Sequence, residues 1–250
     1  MTAFNPFSLK GKTILVTGAS SGIGRGIAVS CSKMGGRVII SGRNKSKLEK
    51  TLSMMEGAEN QILIGDLTNT EEIIRLVEQL PKLDGIVYCA GIVQRLLAKQ
   101  VLEADVNQVM DINFKAPVLL QSLILQKKKL NNGASIVFIA SISADTPNLG
   151  NSLYSASKGA LISYANCLMA ELAPKQIRVN CISPAMVWTD LIYDGILTEE
   201  QLKEDEKRYP LKRYGRPDDI ANLAIYLLSD ASTWMTGSNI RITGGVTNLY

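Results

Sequence analysis

Short runs of apolar, mostly β-branched residues recur along the chain, and longer segments with apolar residues at helical spacing separate them. The short runs predict seven strands, at residues 13–17, 37–41, 61–65, 85–89, 135–139, 178–182 and 239–242. The longer segments predict helices at residues 22–34, 45–55, 70–79, 105–128, 152–173 and 217–229. Each strand is apolar almost throughout, as expected for burial on both faces. The alternation therefore predicts an α/β fold with a parallel, doubly wound sheet and helices on both faces.

The stretch at residues 185–216 departs from this alternation. It lies between Pro184 and Pro217, and among its charged residues it holds the aromatic residues Trp188, Tyr193 and Tyr209. A long insertion at the carboxyl end of a strand is typical of a lid over a binding site. No linker, internal repeat or biased segment divides the rest of the chain. Because 250 residues fit one domain, we predict a single domain over residues 1–250.

The absence of histidine is the most restrictive feature of the composition. It excludes histidine-based triads, histidine-ligated metal sites and imidazole as a general base, so acid–base chemistry must use Tyr, Lys, Asp or Glu. The cysteines include no C-x-x-C pair, which argues against a zinc site, an iron–sulfur cluster and a disulfide framework. We therefore expect no metal and reduced thiols at Cys31, Cys89, Cys167 and Cys181.

The charge of the chain is mildly basic, with a formal net charge of +4. Lys and Arg are dispersed apart from Lys127, Lys128 and Lys129, so the sequence shows no stripe for nucleic acid. The N-terminal residues lack an apolar signal segment, and no apolar run approaches the roughly 18 residues of a membrane span. These features predict a soluble, cytoplasmic protein that binds neither nucleic acid nor membrane.

A glycine-rich turn follows the first predicted strand and opens the first predicted helix. Residues 17–24 read TGASSGIG, with Gly18, Gly22 and Gly24. Without Cβ atoms at these positions, backbone N–H groups and the positive end of the helix can approach a pyrophosphate. An ordinary tight turn also uses glycine, but the strand before and the helix after favour a dinucleotide site.

The residues after the second and third strands bear on the choice between NAD and NADP. Folds that bind NAD place a carboxylate at the end of the second strand to hold the ribose 2′-hydroxyl. Here Gly42 takes that place and Arg43 follows, which favours the 2′-phosphate of NADP. The alternative is that Arg43 is a solvated residue leading into a helix. Asp66, after the third strand, predicts either a partner for the adenine amino group or a helix cap.

A second group of candidate residues lies near the fifth strand and the helix after it. Tyr154 and Lys158 stand four residues apart, so a helix presents the phenol and the ammonium on one face. Ser141 follows the fifth strand, at the sheet edge where doubly wound folds bind ligands. There a serine hydroxyl can polarise a carbonyl and Tyr154 can deliver a proton, while Lys158 would lower the pKa of the phenol by direct attraction. The alternative is a Tyr/Lys pair on a solvated helix face.

These motifs resemble the short-chain dehydrogenase/reductase family along essentially the whole chain. The resemblance is also carried by Asp66-Leu67, Cys89-Ala90-Gly91, Asn113, residues 184–189 and residues 240–245. It implies a Rossmann fold in which Ser141 orients the carbonyl and Tyr154 is the general acid in reduction. Lys158 would bind the nicotinamide ribose and lower the pKa of Tyr154. Asn113 would hold a water in the proton relay, or else be a helix residue bonded only to backbone.

The resemblance implies cofactor contacts at the glycine-rich turn, the strand ends and the start of the lid. These are Gly18, Ser20, Ser21, Gly22, Ile23, Gly24, Arg43, Asp66, Leu67, Cys89, Ala90, Gly91, Tyr154, Lys158, Pro184, Val187 and Thr189. Cys89 stands where the family usually has Asn, and Ala185 where it usually has Gly. Backbone makes most contacts at both places, so we expect a shift of geometry without loss of binding. Ser21 stands where NADP-using members often have a basic residue, which counts against NADP.

Within the family the chain most resembles 3-oxoacyl-acyl-carrier-protein reductases, through residues 213–221 and 227–237. This implies an NADPH-dependent ketoreductase of fatty acid biosynthesis that acts on a carrier-bound carbonyl. The lid would add an apolar wall of Trp188, Leu191, Ile192, Tyr193 and Ile196, which also suits a sugar or steroid ketone. A dehydrogenase of a sugar or other small alcohol and a non-catalytic NADP-sensing protein remain alternatives.

Two expectations concern macromolecular partners. Lys175 and the lysines at 127–129 would lie near helix ends at the cleft rim, where they dock an acidic carrier protein or only complement helix C-termini. The resemblance also implies a homotetramer in which residues 105–128 and 152–173 pair across one interface. Apolar residues on several faces of the second helix support this: Leu161, Ile162, Tyr164, Leu168 and Met169.

Overall fold

Seven parallel strands form one sheet in the computed structural model, which describes residues 4–146, 148–192 and 198–246. The strands are β1 (Thr13–Thr17), β2 (Arg37–Gly42), β3 (Gln61–Ile64), β4 (Leu83–Tyr88), β5 (Leu130–Ile139), β6 (Arg178–Pro184) and β7 (Asn239–Ile242). Their order is β3-β2-β1-β4-β5-β6-β7, which confirms the predicted parallel, doubly wound sheet. The order changes direction between β1 and β4, and folds of this kind bind ligands at such a point.

Helices cover both faces of the sheet, as predicted. They are α1 (Gly22–Lys33), α2 (Lys45–Leu52), α3 (Thr70–Gln79), α4 (Glu103–Met110), α5 (Ala116–Gln126), α6 (Ser152–Leu172), α7 (Glu199–Glu206) and α8 (Pro217–Leu228). Buried residues of α3, α5 and α6 share one core with the sheet, and those of α1, α2 and α8 share the other. In β1, Leu15 belongs to the first core while Ile14 and Val16 belong to the second. Successive side chains of a strand point to opposite faces, which explains the continuous apolar run.

The outer strand β3 is not buried on both faces, contrary to the sequence expectation. Gln61 is exposed, and Ile64 is 50% exposed. Because β3 is the first strand of the sheet, it pairs with β2 alone. An apolar run marks a strand, but it does not show whether that strand lies at the sheet edge.

The predicted helix over residues 105–128 is wrong as a single regular helix. The structure divides it into α4 and α5, joined by a π-helical turn at Asp111–Lys115. Pro117 lies in the first turn of α5. A proline has no N–H to donate, and its ring clashes with the carbonyl four residues earlier, which here belongs to Asn113. A regular α-helix therefore does not continue through this point.

The predicted lid packs around a small third core. The described part of residues 185–216 contains α7 and a short 3₁₀ turn, Asp190–Ile192. The third core joins lid side chains to the residue after Ser141, and its buried members are Ile142, Ile192, Leu202, Tyr209, Tyr214 and Val246. The predicted wall residues Tyr193 and Ile196 lie outside the described residues.

Candidate functional site

A cavity of about 320 Å³ opens at the carboxyl ends of the strands and extends from the glycine-rich turn to the lid. All the predicted cofactor contacts line it: Gly18, Ser20, Ser21, Gly22, Ile23, Gly24, Arg43, Asp66, Leu67, Cys89, Ala90, Gly91, Tyr154, Lys158, Pro184, Val187 and Thr189. Ser141 also lines the cavity. Asn113 is fully buried behind the cavity wall. The fold thus brings the predicted residues into one place.

The glycine-rich turn leaves no room for side chains at two positions. A Cβ atom on Gly24 would lie 2.3 Å from the carbonyl oxygen of Gly18, and one on Gly18 would lie 2.6 Å from the backbone nitrogen of Ala90. Gly18 also has a φ of +67°, in the left-handed region that favours glycine. The backbone at the start of α1 therefore forms the cavity wall itself, which fits a pyrophosphate at the helix N-terminus.

Two residues that sequence reasoning missed hold this turn from behind. The hydroxyl of Thr51, fully buried on α2, donates to the carbonyl of Ala19 at 2.9 Å. Arg25 donates from Nε to Thr51 Oγ1 at 3.1 Å and from Nη2 to the carbonyl of Ser20. These bonds satisfy two carbonyls of the turn and fix its shape. The sequence places Arg25 in α1, but only the fold shows that its side chain extends back to the glycine-rich turn.

Arg43 and Asp66 face each other at the end of the cavity formed by β2 and β3. Arg43 Nη1 lies 3.6 Å from Asp66 Oδ2, and the two side chains are 65% and 33% exposed. Asp66 also accepts hydrogen bonds from the backbone N–H and the hydroxyl of Thr68, at 2.9 and 2.8 Å. Burial alone would raise the pKa of Asp66, but these bonds and the charge of Arg43 bring it below its usual value. The site thus offers an ionised acceptor beside an accessible guanidinium.

Ser141, Tyr154 and Lys158 meet in the middle of the cavity. Ser141 and Tyr154 are close enough for the Ser141 side chain to lower the pKa of the Tyr154 phenol, and Ser141 Oγ accepts the backbone N–H of Ser143 at 3.1 Å. Lys158 lies one turn after Tyr154 on α6, with Nζ 5.7 Å from the centre of the Tyr154 ring. It donates to the carbonyl of Ile139 at 2.9 Å. The helical spacing and the end of β5 together bring two hydroxyls and one ammonium to the same point.

Burial decides the protonation of these groups in the free cavity. Burial raises the pKa of Tyr154 to about 12, against a smaller lowering by Ser141. Burial also lowers the pKa of Lys158 to about 8, against the opposite effect of Cys89 and Cys181. In the free cavity, burial thus outweighs the lowering effects on Tyr154, and the lowering of its pKa by Lys158 stays a prediction. Tyr154 keeps its proton at neutral pH, which is the state a proton donor needs.

The side chain of Asn113 links three elements around the candidate catalytic residues. Its Nδ2 donates to the carbonyl of Ile92 at 2.9 Å and to Ser157 Oγ at 3.0 Å, and its Oδ1 accepts the N–H of Ile92 at 2.8 Å. The Ser157 hydroxyl donates in turn to the carbonyl of Tyr154 at 2.7 Å. Asn113 is thus bonded to a side chain as well as to backbone. It connects the loop after β4, the π-helical turn and the start of α6.

Comparisons with known proteins cover nearly the whole chain. A family model described as enoyl-(acyl carrier protein) reductase matches residues 18–247. The 3-oxoacyl-[acyl-carrier-protein] reductase FabG of Rickettsia bellii is 39% identical over 238 residues, which cover 95% of this chain and 98% of that protein. The L-xylulose reductase of Caenorhabditis elegans is 32% identical over 243 residues, which cover 95% of this chain and 96% of that protein.

A solved structure shows that the similarity extends to the fold. A candidate NAD(P)-dependent gluconate 5-dehydrogenase of Beutenbergia cavernae, with NADP bound at low occupancy, matches with a TM-score of 0.86 at 29% identity, covering 96% of this chain and 98% of that chain. The chain belongs to the short-chain dehydrogenase/reductase family. It is an oxidoreductase, and the family uses a nicotinamide cofactor. The crowded backbone at Gly18 and Gly24 fits such a dinucleotide.

Cys89 is a departure from the short-chain dehydrogenase/reductase pattern inside the cavity. Its backbone N–H donates to Thr17 Oγ1 at 3.1 Å. The backbone nitrogen of Ala90 lies 3.5 Å from the same oxygen. Burial raises the pKa of the Cys89 thiol to about 12, against a lowering by Lys158. A neutral, packed thiol therefore occupies this place, and backbone contacts hold the end of β4.

The half of the cavity away from the glycine-rich turn, the candidate substrate half, contains polar residues that sequence reasoning missed. Asn151 is the N-cap residue of α6 and is 5% exposed. An N-cap Asn usually accepts a hydrogen bond from its own helix, but here it makes none, and its buried Oδ1 has no hydrogen-bond partner among the described residues. Ser143, Asn148 and Arg95 line the same half. Apolar residues complete the wall: Ile92, Val93, Ile142, Met186, Leu191 and Ile192.

The lysines predicted at the rim of the cleft lie at the amino ends of the strands, on the side of the sheet opposite the cavity. Lys127 follows α5, and the carbonyl of Lys129 accepts the N–H of Leu83 at 2.8 Å where β4 begins. Lys175 ends the short turn before β6. Because all the strands are parallel, these strand starts lie away from the cavity. The prediction that these lysines border the chain's own cleft is therefore wrong.

The four cysteines are free thiols. Within the described ranges, no group of three or more His, Cys, Asp or Glu side chains is placed to hold a metal ion. None of the described helices is both long and apolar enough to cross a membrane.

Proposed function

We propose that the chain is an NADPH-dependent ketoreductase that reduces the 3-oxo group of an acyl thioester on acyl carrier protein. The observation that carries the proposal is the hydroxyl pair of Ser141 and protonated Tyr154, with Lys158 beside it and a dinucleotide cradle along the same cavity. Two neighbouring hydroxyls can bond to one carbonyl oxygen. The 39% identity with a 3-oxoacyl-[acyl-carrier-protein] reductase over 95% of the chain supports the substrate class.

Each residue has a separate task in the proposed reduction. Ser141 donates a hydrogen bond to the carbonyl oxygen and orients the substrate. Tyr154 donates its phenolic proton to the same oxygen, and the ammonium of Lys158 stabilises the phenolate that remains. When bound, the nicotinamide supplies the hydride that the carbonyl carbon receives. Asn113 holds a water in the relay that returns a proton. The backbone carbonyl of Asn113 receives no α-helical hydrogen bond from Pro117, because a proline has no N–H to donate.

The preference for NADPH rests on the residues after β2. Arg43 lines the cavity with an accessible guanidinium, and a guanidinium binds a phosphate through two hydrogen bonds. A Cβ on Gly42 would lie 3.6 Å from Leu48, in ordinary contact, so packing does not require glycine where NAD-binding folds carry a carboxylate. Ser20 and Ser21 line the same end. Asp66, ionised beside Arg43, accepts from the adenine amino group.

A second candidate function is reduction of a hydroxylated sugar ketone. The buried Oδ1 of Asn151 needs a hydrogen-bond donor, and the carbons next to a sugar carbonyl carry hydroxyl groups that donate. Ser143, Asn148 and Arg95 add polar groups to the same wall. The similarity to an L-xylulose reductase, 32% identical, favours this alternative as well.

Steady-state kinetics with purified protein separate the candidates. NADPH and NADH oxidation would be measured with acetoacetyl thioesters, on N-acetylcysteamine and on acyl carrier protein, and with L-xylulose and other sugar ketones. We expect turnover of the thioesters with NADPH at a kcat/KM at least about tenfold above that with NADH. Turnover of sugar ketones alone would replace the proposal by the second candidate. Tight binding of NADPH without any turnover would instead indicate a sensing protein.

A further inference from the structure

A second depression of about 490 Å³ adjoins the substrate half of the catalytic cavity. Ser143 and Asn148 line both spaces, so the two share a wall and lie side by side. No residue of the glycine-rich turn lines the depression, which therefore leads away from the cofactor half. We call it the side groove; its apolar residues are Leu96, Leu97, Ala98, Ala144 and Leu149.

The loops after β4 and β5 build the side groove and are tied to each other. The N–H of Leu96 donates to the carbonyl of Gly150 at 2.8 Å, and Gly150 has a φ of +77° that favours glycine. This bond holds Leu149 opposite the loop that carries Leu97. Leu149 is 81% exposed and Leu97 is 39% exposed, so the groove presents apolar surface that the described residues do not cover.

The charged residues at the groove are paired with a neighbouring strand. Arg241 on β7 donates to Thr146 Oγ1 at 3.0 Å and lies 3.7 Å from Asp145 Oδ1. The carboxylate of Asp145 thus has a cation beside it. The leucines, together with the hydroxyl-bearing residues Thr146, Ser152 and Ser155, form the surface that a ligand in the groove would contact. A hydrocarbon is the chemistry that fits this surface, because burial of apolar area is what leucine side chains contribute to binding.

The polarity along the two spaces follows the polarity of a 3-oxoacyl thioester. Hydroxyls at Ser141 and Tyr154 meet the reacting carbonyl, polar residues Ser143 and Asn148 form the junction, and leucines follow. Resting on the proposed function, we infer that the side groove binds the hydrocarbon tail of the substrate beyond the keto carbon. The enzyme then selects substrates by tail length, and the thioester end leaves the cavity in another direction toward the carrier.

A series of 3-oxoacyl-N-acetylcysteamine thioesters, from 3-oxobutanoyl to 3-oxodecanoyl, tests this inference at saturating NADPH. Wild-type kcat/KM is expected to rise about two- to fourfold for each added methylene, since fourfold corresponds to the roughly 0.8 kcal/mol of one buried methylene. Leu149→Asn and Leu97→Asn are expected to flatten this slope, with the shortest substrate as the internal reference. Ile74→Asn is the matched control, because Ile74 on α3 is 37% exposed, close to the 39% of Leu97, and lines neither the cavity nor the groove, so it should keep the wild-type slope.

Three outcomes would overturn the inference. A flat wild-type slope would mean that the tail stays in solvent, and an unchanged slope in both variants would mean that it binds elsewhere. The third outcome is that a second copy of the chain occupies the side groove. Light scattering of Leu149→Asn would then show a smaller mass than light scattering of the wild type. In that case the leucines form an interface and not a tail site.

A binding measurement separates failure of this inference from failure of the proposed function. If no thioester is reduced, the proposed function is wrong, but the groove is still tested by calorimetry with decanoyl-N-acetylcysteamine and the enzyme–NADPH complex. We expect Leu149→Asn to weaken that binding at least about fivefold, with Ile74→Asn equal to wild type. Equal affinity in all three proteins would overturn the inference.

Discussion

Pro117 stands four residues after Asn113, at the spacing of one α-helical hydrogen bond. Proline cannot donate to that carbonyl, and the helix widens here into the π-helical turn Asp111–Lys115. The same turn directs the Asn113 side chain to Ile92 and Ser157. A local departure from regular helix geometry thus positions Asn113, which ties the loop after β4 to the start of α6.

Replacing this proline is expected to separate stability from activity. In Pro117→Ala the new N–H can bond to the Asn113 carbonyl and favour a regular helix, which turns the Asn113 amide away from Ile92. We expect kcat to fall about tenfold while the thermal midpoint stays equal or rises. Pro217→Ala, at the ordinary proline position in the first turn of α8, is the control and should keep kcat. Full activity in Pro117→Ala would show that the π-helical turn is not needed.

The two serines near the end of β5 differ in their expected importance. Ser141 lies beside Tyr154 and lowers the pKa of its phenol, whereas Ser143 contributes its backbone N–H to Ser141 Oγ. Tyr154→Phe and Ser141→Ala should each lower kcat/KM for reduction at least about 100-fold, with NADPH affinity retained by fluorescence titration. Ser143→Ala should lower kcat/KM for reduction much less. Comparable losses at both serines would contradict the assignment of Ser141.

The rate of reduction is expected to fall as pH rises through about 8. Burial lowers the pKa of Lys158 from 10.5 to about 8, so its ammonium is present below that pH and is lost above it. Tyr154, with a pKa raised to about 12, stays protonated through the same range. In Lys158→Arg the guanidinium stays charged, and the residual activity should lack this fall. A wild-type kcat/KM profile that is level up to about pH 10 would contradict the role of the ammonium.

A carboxylate at the end of β2 should reverse the cofactor preference. Gly42 has space for a Cβ, with Leu48 at 3.6 Å. In Gly42→Asp the new carboxylate repels a 2′-phosphate and can accept from a ribose hydroxyl, so KM for NADPH should rise at least about tenfold and KM for NADH should fall. Arg43→Ala should weaken the binding of NADPH without improving the binding of NADH. If the ratio of KM for NADPH to KM for NADH stays unchanged in both variants, residues other than Gly42 and Arg43 determine the cofactor preference.

We also expect the chain to assemble as a homotetramer. On α6, Leu161 and Leu168 are buried in the core, while Ile162, Tyr164 and Met169 are only partly buried. The side chains on these further faces are available to a second copy of the chain. Multi-angle light scattering at micromolar concentration should give about four times the mass of the 27.2 kDa chain. A monomeric mass would reject this expectation.

Much of the fold followed from local pattern. Continuous apolar runs predicted the inner strands because helices cover both faces of the sheet there, whereas the outer strands β3 and β7 are partly exposed. The glycines of residues 17–24 predicted the first turn because other residues do not fit there. The four candidate catalytic residues were named from spacing and family resemblance, and their roles stay predictions. The break at Asn113 was missed, although Pro117 marked it, because apolar periodicity continues across the π-helical turn.

The sequence by itself determined the order of strands and helices, the glycine-rich turn and the Tyr154/Lys158 spacing, since each depends on residues close together in the chain. Only the tertiary structure decided what distant residues do to one another. It places Lys127 and Lys175 away from the cavity, because the starts of parallel strands share the far edge of the sheet. It also raises the pKa of Tyr154, because hydration is lost when the surrounding elements close over it. Burial and charge proximity depend on the packed chain, and no local pattern contains them.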